Sequence, residues 1–197
     1  MYTGFFTPVE ASAVGAFLTF VVALARRSLS WAKMRTVVLD TMSATATVFL
    51  IIIGAFVFIP FMSLTELPAQ IVTILTSLPV GSLGILLIII LIYMFLGMFL
   101  EGIAMLVLTI PVVIPIAMGM GWDLVWFGII VVVVLEMGMI SPPVGINVFV
   151  VKSIAPDVPM GTIFRGIWPF WFAMAFLLVL LVAFPQIALF LPQALVG

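Results

Sequence analysis

Two consecutive prolines, Pro142 and Pro143, stand inside an otherwise apolar segment, with Ser141 before them and Gly145 and Asn147 just after. Neither proline has an N–H, so preceding carbonyls lose their helical donors. Within hydrocarbon, such backbone persists only when it is packed in protein or lines a wet cavity. Freed carbonyls, half-helix ends and the side-chain oxygens of Ser141 and Asn147 are groups that hold a small cation or an anionic substrate at membrane depth. The alternative is a kinked structural helix, or a loop that surfaces at the interface. Glu101 lies between Gly97 and Gly102 in a stretch otherwise free of charge from 67 to 122. An ionisable residue there is costly, and marks a candidate site for holding a cation or accepting a proton. At a helix end among headgroups the same residue would be cheap. Glu136, shortly before the prolines, has a weaker claim to that chemistry. Thr41, Ser43, Thr45 and Thr47, with Thr109, can line a polar path, although hydroxyls in membrane helices more often bond back to their own carbonyls.

Composition bounds what these residues can do. Of 197 residues, 66% are hydrophobic and only 7% are charged, six basic and seven acidic. A soluble domain is about one quarter charged. The chain therefore has too little charge to cover a globule in water and reads as an integral membrane protein. A net charge of -1 leaves no basic footprint for nucleic acid. Histidine and cysteine are absent. Most transition-metal sites, nucleophile pairs built on imidazole or thiol, and disulfides are thereby excluded. An intramembrane enzyme is disfavoured further, since neither His-Glu-x-x-His nor Gly-x-Ser-x-Gly occurs. No resident cofactor is expected, and any ion handled must be held by oxygen.

The positioning elements are helices. Apolar runs such as 85–98 are hydrophobic on every face, unlike the alternating strands of a membrane barrel. About 20 apolar residues cross a bilayer. A first helix is predicted over 8–26, with Thr7 as N-cap, Pro8 at its first position and Glu10 in its first turn. A connector follows over 27–40. It holds four of the six basic residues, Arg26, Arg27, Lys33 and Arg35 lying in or beside it, and is placed on the cytoplasmic side by the positive-inside rule. Lys152 and Arg165 act as further topology determinants. Membrane segments are expected at 41–63, 82–100, 103–118 and 124–140. The last is broken at 141–145 and continues to 151, and a final helix covers 162–184. Residues 64–81 are too briefly apolar to cross and read as a re-entrant or interfacial hairpin. One helix over 82–118 would run about 55 Å, so it must break or turn; Gly97, Glu101 and Gly102 mark the first candidate place, and Pro111 and Pro115 a second. The fold class is all-α and polytopic. Residues 1–10 show no basic region leading into an apolar one, so no leader is read there.

Three segments resemble one family. Gly4-Phe5-Phe6-Thr7-Pro8-Val9-Glu10-Ala11 is similar to the Gly-x-Phe/Tyr-Thr-Pro-Thr-Glu-Ala element of the large membrane subunit of tripartite ATP-independent periplasmic (TRAP) transporters. Gly97-Met98-Phe99-Leu100-Glu101, followed by Pro111 and Pro115, resembles its Gly-Met-Phe-Met-Glu/Asp segment. Ile140-Ser141-Pro142-Pro143-Val144-Gly145-Ile146-Asn147-Val148-Phe149 resembles its Ile-Thr-Pro-Pro-Val-Gly-x-Asn-Leu-Phe signature, with Ser141 keeping the hydroxyl of the usual Thr. The order and spacing match the C-terminal half of that subunit only.

The resemblance implies one repeat of an inverted-repeat transporter in the bacterial inner membrane. It implies Na⁺-coupled uptake of an organic acid, a carboxylate, delivered by a periplasmic solute-binding protein. Its partners would be the N-terminal half of the permease, a small membrane subunit and the lipid bilayer. By position, Ser141, Pro142, Pro143, Gly145 and Asn147 would contribute to the substrate site. Glu101, Gly97, Gly102 and Thr109 form the candidate Na⁺ region. One half alone would not transport, because the cavity lies between halves. A non-transporting scaffold subunit, or a truncated inactive fragment, is the alternative.

Overall fold

The structure, a computed structural model, describes residues 7–77 and 79–196; Gly4-Phe5-Phe6 of the first motif and Leu78 of the short apolar run lie outside them. Among the described residues there are nine helices and no strand. They are α1 (Pro8–Ala25), α2 (Trp31–Leu64), α3 (Leu67–Ser77), α4 (Gly81–Gly97), α5 (Gly102–Gly119), α6 (Leu124–Met139), α7 (Ile146–Ile154), α8 (Met160–Ala183) and α9 (Gln186–Val196). By length and composition α1, α2, α5 and α8 can cross a membrane, and α4 and α6 are shorter apolar helices.

Local chemistry sets most boundaries. The α1 start is a capping box: the Glu10 amide donates to Thr7 Oγ1 at 3.3 Å and the Thr7 amide donates to Glu10 Oε2 at 2.8 Å. Pro8 costs nothing there, since the first helical amide has no partner anyway. Asp123 starts α6 by accepting from the amides of Val125 and Trp126 at 2.8 and 3.1 Å. In α2 the structure departs from the expected connector over 27–40. Only residues 26–30 turn, and the helix then runs unbroken through residue 41. No Gly or Pro occurs between Trp31 and Ile53 to stop it, and Thr41 and Thr47 bond back to the carbonyls of Val37 and Ser43 at 2.7 and 2.9 Å. Residues 64–81 hold the eleven-residue α3.

The 82–118 stretch breaks once, over Met98–Glu101. Pro111 and Pro115 lie inside α5 and do not end it. Neighbouring membrane helices and local adjustment re-satisfy carbonyls that a proline frees. Pro185 follows the end of α8, and Pro192 is carried within α9.

The chain divides into two units, one up to Leu50 and one from Ile51. In the first, no described residue is buried, and Phe17, Leu18 and Phe49 are exposed. The second holds the core: Ile85, Leu86 and Tyr93 of α4, Met105 and Ile116 of α5, Phe127, Ile130 and Val134 of α6, and Leu181 of α8. Helix α6 is its axis, packing on α4, α5, α8 and α9. A buried polar bond ties α6 to α8 within this packing. The Trp126 indole N–H donates to the Leu181 carbonyl at 2.7 Å in the buried interior. That carbonyl would normally bond the amide four residues on, which is Pro185 and has none.

Candidate functional site

Helices α4 and α6 cross where both are interrupted. A Cβ built on Gly97, the last residue of α4, would stand 3.1 Å from Gly138 Cα and 3.3 Å from the Leu135 carbonyl oxygen. A Cβ on Gly138 would stand 2.8 Å from Gly97 Cα and 3.0 Å from the Met94 carbonyl oxygen. The two backbones are therefore in direct contact, and only a residue without a side chain fits at either place. Just beyond, Gly102 lies under Leu135 and Met139, whose Cδ2 and sulfur would be 3.0 and 3.3 Å from an added Cβ.

Each helix ends at this crossing. The amides of Met98, Phe99 and Leu100 turn back onto the carbonyls of Phe95 and Leu96, so the final carbonyls of α4 leave the regular ladder. In α6 the Ser141 amide donates to the Gly138 carbonyl at 2.9 Å. Pro142 and Pro143, joined by a cis bond, supply no further donors. Two helix C-termini, each the negative end of its dipole, thus converge. Chain direction is recovered by Gly145, at φ +57, where a Cβ would meet the Ser141 carbonyl oxygen at 3.0 Å. Helix α7 starts there and is anchored by the fully buried Val148.

Ser141 is the buried polar residue of this break, at 3% exposure. Its hydroxyl donates to the Met137 carbonyl at 2.6 Å and accepts from the Trp171 indole N–H at 2.9 Å. Its proton is committed, which leaves at most an acceptor lone pair for a ligand. Trp171 belongs to α8, and Trp168 packs edge-on against it at 5.7 Å. Together these two residues form an aromatic wall against Ile140 and Pro142. Pro142 and Pro143 are exposed, and Asn147 is half-buried. The Asn147 amide makes no hydrogen bond among the described residues.

The Na⁺ candidates do not gather at one point. Gly97 and Gly102 lie at the crossing. Glu101 is exposed and caps α5, accepting from the Ala104 amide at 3.0 Å. Its place is explained by helix capping. Thr109 is two turns further, about 12 Å along the helix. It donates to the Met105 carbonyl at 2.8 Å and bonds the hydroxyl of Tyr93. Tyr93 and Thr109 also line a cavity of about 600 Å³ walled by Phe58, Ile71, Ile89 and Val112 among others, whose surface is almost wholly apolar. Glu136 is exposed on α6. Lys152 closes the turn after α7, donating to the carbonyls of Pro156 and Val158 at 2.6 and 2.7 Å. Among the described residues no group of three Asp or Glu could hold a metal ion. Gly138, Trp171 and Tyr93 were missed as site residues. The one visible signal was Gly138 spaced one helical turn before Pro142.

The family model for the DctM component of tripartite ATP-independent periplasmic transporters matches residues 1–187. The chain belongs to this family. It is similar to the sialic acid TRAP transporter large permease protein SiaM of Vibrio cholerae, with 32% identity over 198 residues, 100% of this chain and 46% of that protein. The C4-dicarboxylate large permease protein DctM of Pseudomonas aeruginosa is 32% identical over 194 residues, 98% of this chain and 45% of that protein. The sialic acid TRAP transporter permease protein SiaT of Haemophilus influenzae is 27% identical over 197 residues, 100% of this chain and 32% of that protein. The chain thus spans less than half the length of these TRAP permeases. What the comparisons give is this share; they do not uphold the expected assignment to the C-terminal half. TRAP permease membership and the apolar helices place the chain in the inner membrane.

Proposed function

We propose that this chain forms part of the membrane pathway of a Na⁺-coupled secondary transporter for an organic acid, acting with the remainder of a permease. The observation that carries the reading is the crossing of two interrupted helices at Gly97 and Gly138, beside the buried Ser141. Discontinuous helices whose ends meet at membrane depth are the means by which transporters hold ions and substrate groups. Here the ends that meet are carbonyl ends, which suit a cation. Without His or Cys, and with no carboxylate cluster among the described residues, an oxygen-ligated ion of low charge fits best. The free amide of Asn147, on the far side of the break, is the group we assign to the substrate. Relatives named for sialic acid and C4-dicarboxylates support a carboxylate as that substrate. A periplasmic binding protein and a small membrane subunit would complete the system, as the family's name implies.

The test is uptake into proteoliposomes holding this chain, the rest of a permease and a binding protein, driven by an imposed Na⁺ gradient. Uptake that collapses without Na⁺, and falls at least tenfold in Asn147→Ala, is the expected result. Equal uptake in Na⁺ and K⁺ would overturn the coupling. Full activity of Asn147→Ala would overturn the substrate assignment.

A further inference from the structure

The turn between α1 and α2 concentrates positive charge with no counter-charge. Arg26, Arg27, Lys33 and Arg35 are all exposed, and no acidic residue occurs between Glu10 and Asp40. None of the four makes an ion pair among the described residues. The Lys33 ammonium instead donates to the Ser28 carbonyl at 3.1 Å, and the Lys33 amide donates to Ser30 Oγ at 3.3 Å. These bonds fix the turn, and leave the three guanidinium groups unengaged. The same turn carries a cleft of about 200 Å³ lined by Leu24, Leu29, Ser30, Trp31 and Met34. Trp31 stands 85% exposed at its lip. Both flanking helices are apolar and long enough to span a bilayer, so the turn lies where hydrocarbon gives way to headgroups.

Four cations beside an apolar cleft, with an exposed indole between them, match a ligand that is anionic at one end and apolar at the other. We propose that this turn is a binding site for an anionic phospholipid. Arg26, Arg27, Lys33 and Arg35 face the phosphate region, and Trp31 with Leu24 and Met34 receives the start of the chains. Guanidinium groups pair with phosphate oxygens in bidentate fashion, and a juxtamembrane basic cluster attracts anionic lipid by about 1 kcal/mol per charge. A free phosphate would use the cations and leave the cleft empty. An acidic peptide would do the same.

The full chain, delipidated in a neutral detergent, is titrated with phosphatidylglycerol, phosphatidylcholine, inorganic phosphate or a polyglutamate peptide. Retained lipid is read by native mass spectrometry and the melting temperature by circular dichroism. Phosphatidylglycerol is expected to be retained and to raise Tm, while the other three do neither. Arg26→Gln with Arg27→Gln should weaken retention about five-fold for each charge removed. Trp31→Ala keeps every charge and should also weaken it, which guards against a charge variant that does not fold. Equal retention of both lipids, equal effect of phosphate or polyglutamate, or retention unmoved in Trp31→Ala would each overturn the proposal.

Discussion

The Trp171 indole of α8 donates to the Ser141 hydroxyl at 2.9 Å, and that hydroxyl in turn donates to the Met137 carbonyl at 2.6 Å. A helix distant in sequence thereby braces the point where α6 stops. Ser141→Ala strips partners from a buried carbonyl and an indole N–H. Stability should fall by about 0.5–2 kcal/mol, the range for such bonds within membranes. Trp171→Phe should fall similarly, and the double variant should cost less than the sum. Thermal melts in detergent measure all three.

Gly97→Ala and Gly138→Ala each force a methyl to within about 3 Å of opposing backbone. Helices α4 and α6 must separate, at an expected cost of roughly 1–3 kcal/mol. Gly15→Ala and Gly54→Ala meet nothing within 4 Å, and should be neutral or slightly stabilising. Comparing the four melting temperatures checks the contact directly.

The Trp126 bond to Leu181 compensates for the amide that Pro185 lacks. Trp126→Phe should therefore destabilise by about 1–2 kcal/mol. In a Pro185→Ala background, which restores a helical donor, the same change should cost markedly less. A thermodynamic cycle on these two positions reads the difference. Equal costs in both backgrounds would disprove the compensation.

Glu101 behaves here as an N-cap. Glu101→Gln keeps an acceptor oxygen for the Ala104 amide and should change stability by under about 0.5 kcal/mol, whereas Glu101→Ala should lose about 1 kcal/mol. In the reconstituted uptake assay, Glu101→Gln should retain its Na⁺ dependence. A shifted Na⁺ requirement in Glu101→Gln would make the carboxylate an ion ligand.

Much of the local structure could be read from residue chemistry. Thr7 with Glu10, Asp123, and the breaks near Gly97 and Pro142 depend on bonds within a few residues. Other features depend on distant neighbours. Pro111, Pro115 and Pro192 continue their helices, because packing outweighs the local penalty of a missing donor. The basic segment around Lys33 and Arg35 is helical, since charge at a membrane surface does not oppose a helix. The meeting of Gly97 with Gly138, and of Ser141 with Trp171, is a property of tertiary packing. Spacing along one chain could nominate those residues singly, and could not pair them. Tyr93 stands in a helix otherwise free of polar side chains near it, and its partner Thr109 belongs to the next helix.

The glycine crossing also constrains how the protein is made. Helix α4 finds its closest partner in α6, which is synthesised only after all of α5 and the Gly119–Trp122 turn. The notch at Gly97 can be filled only once Gly138 has been made. The seating of α4 is therefore a long-range contact, formed across α5 and not between neighbours in the chain.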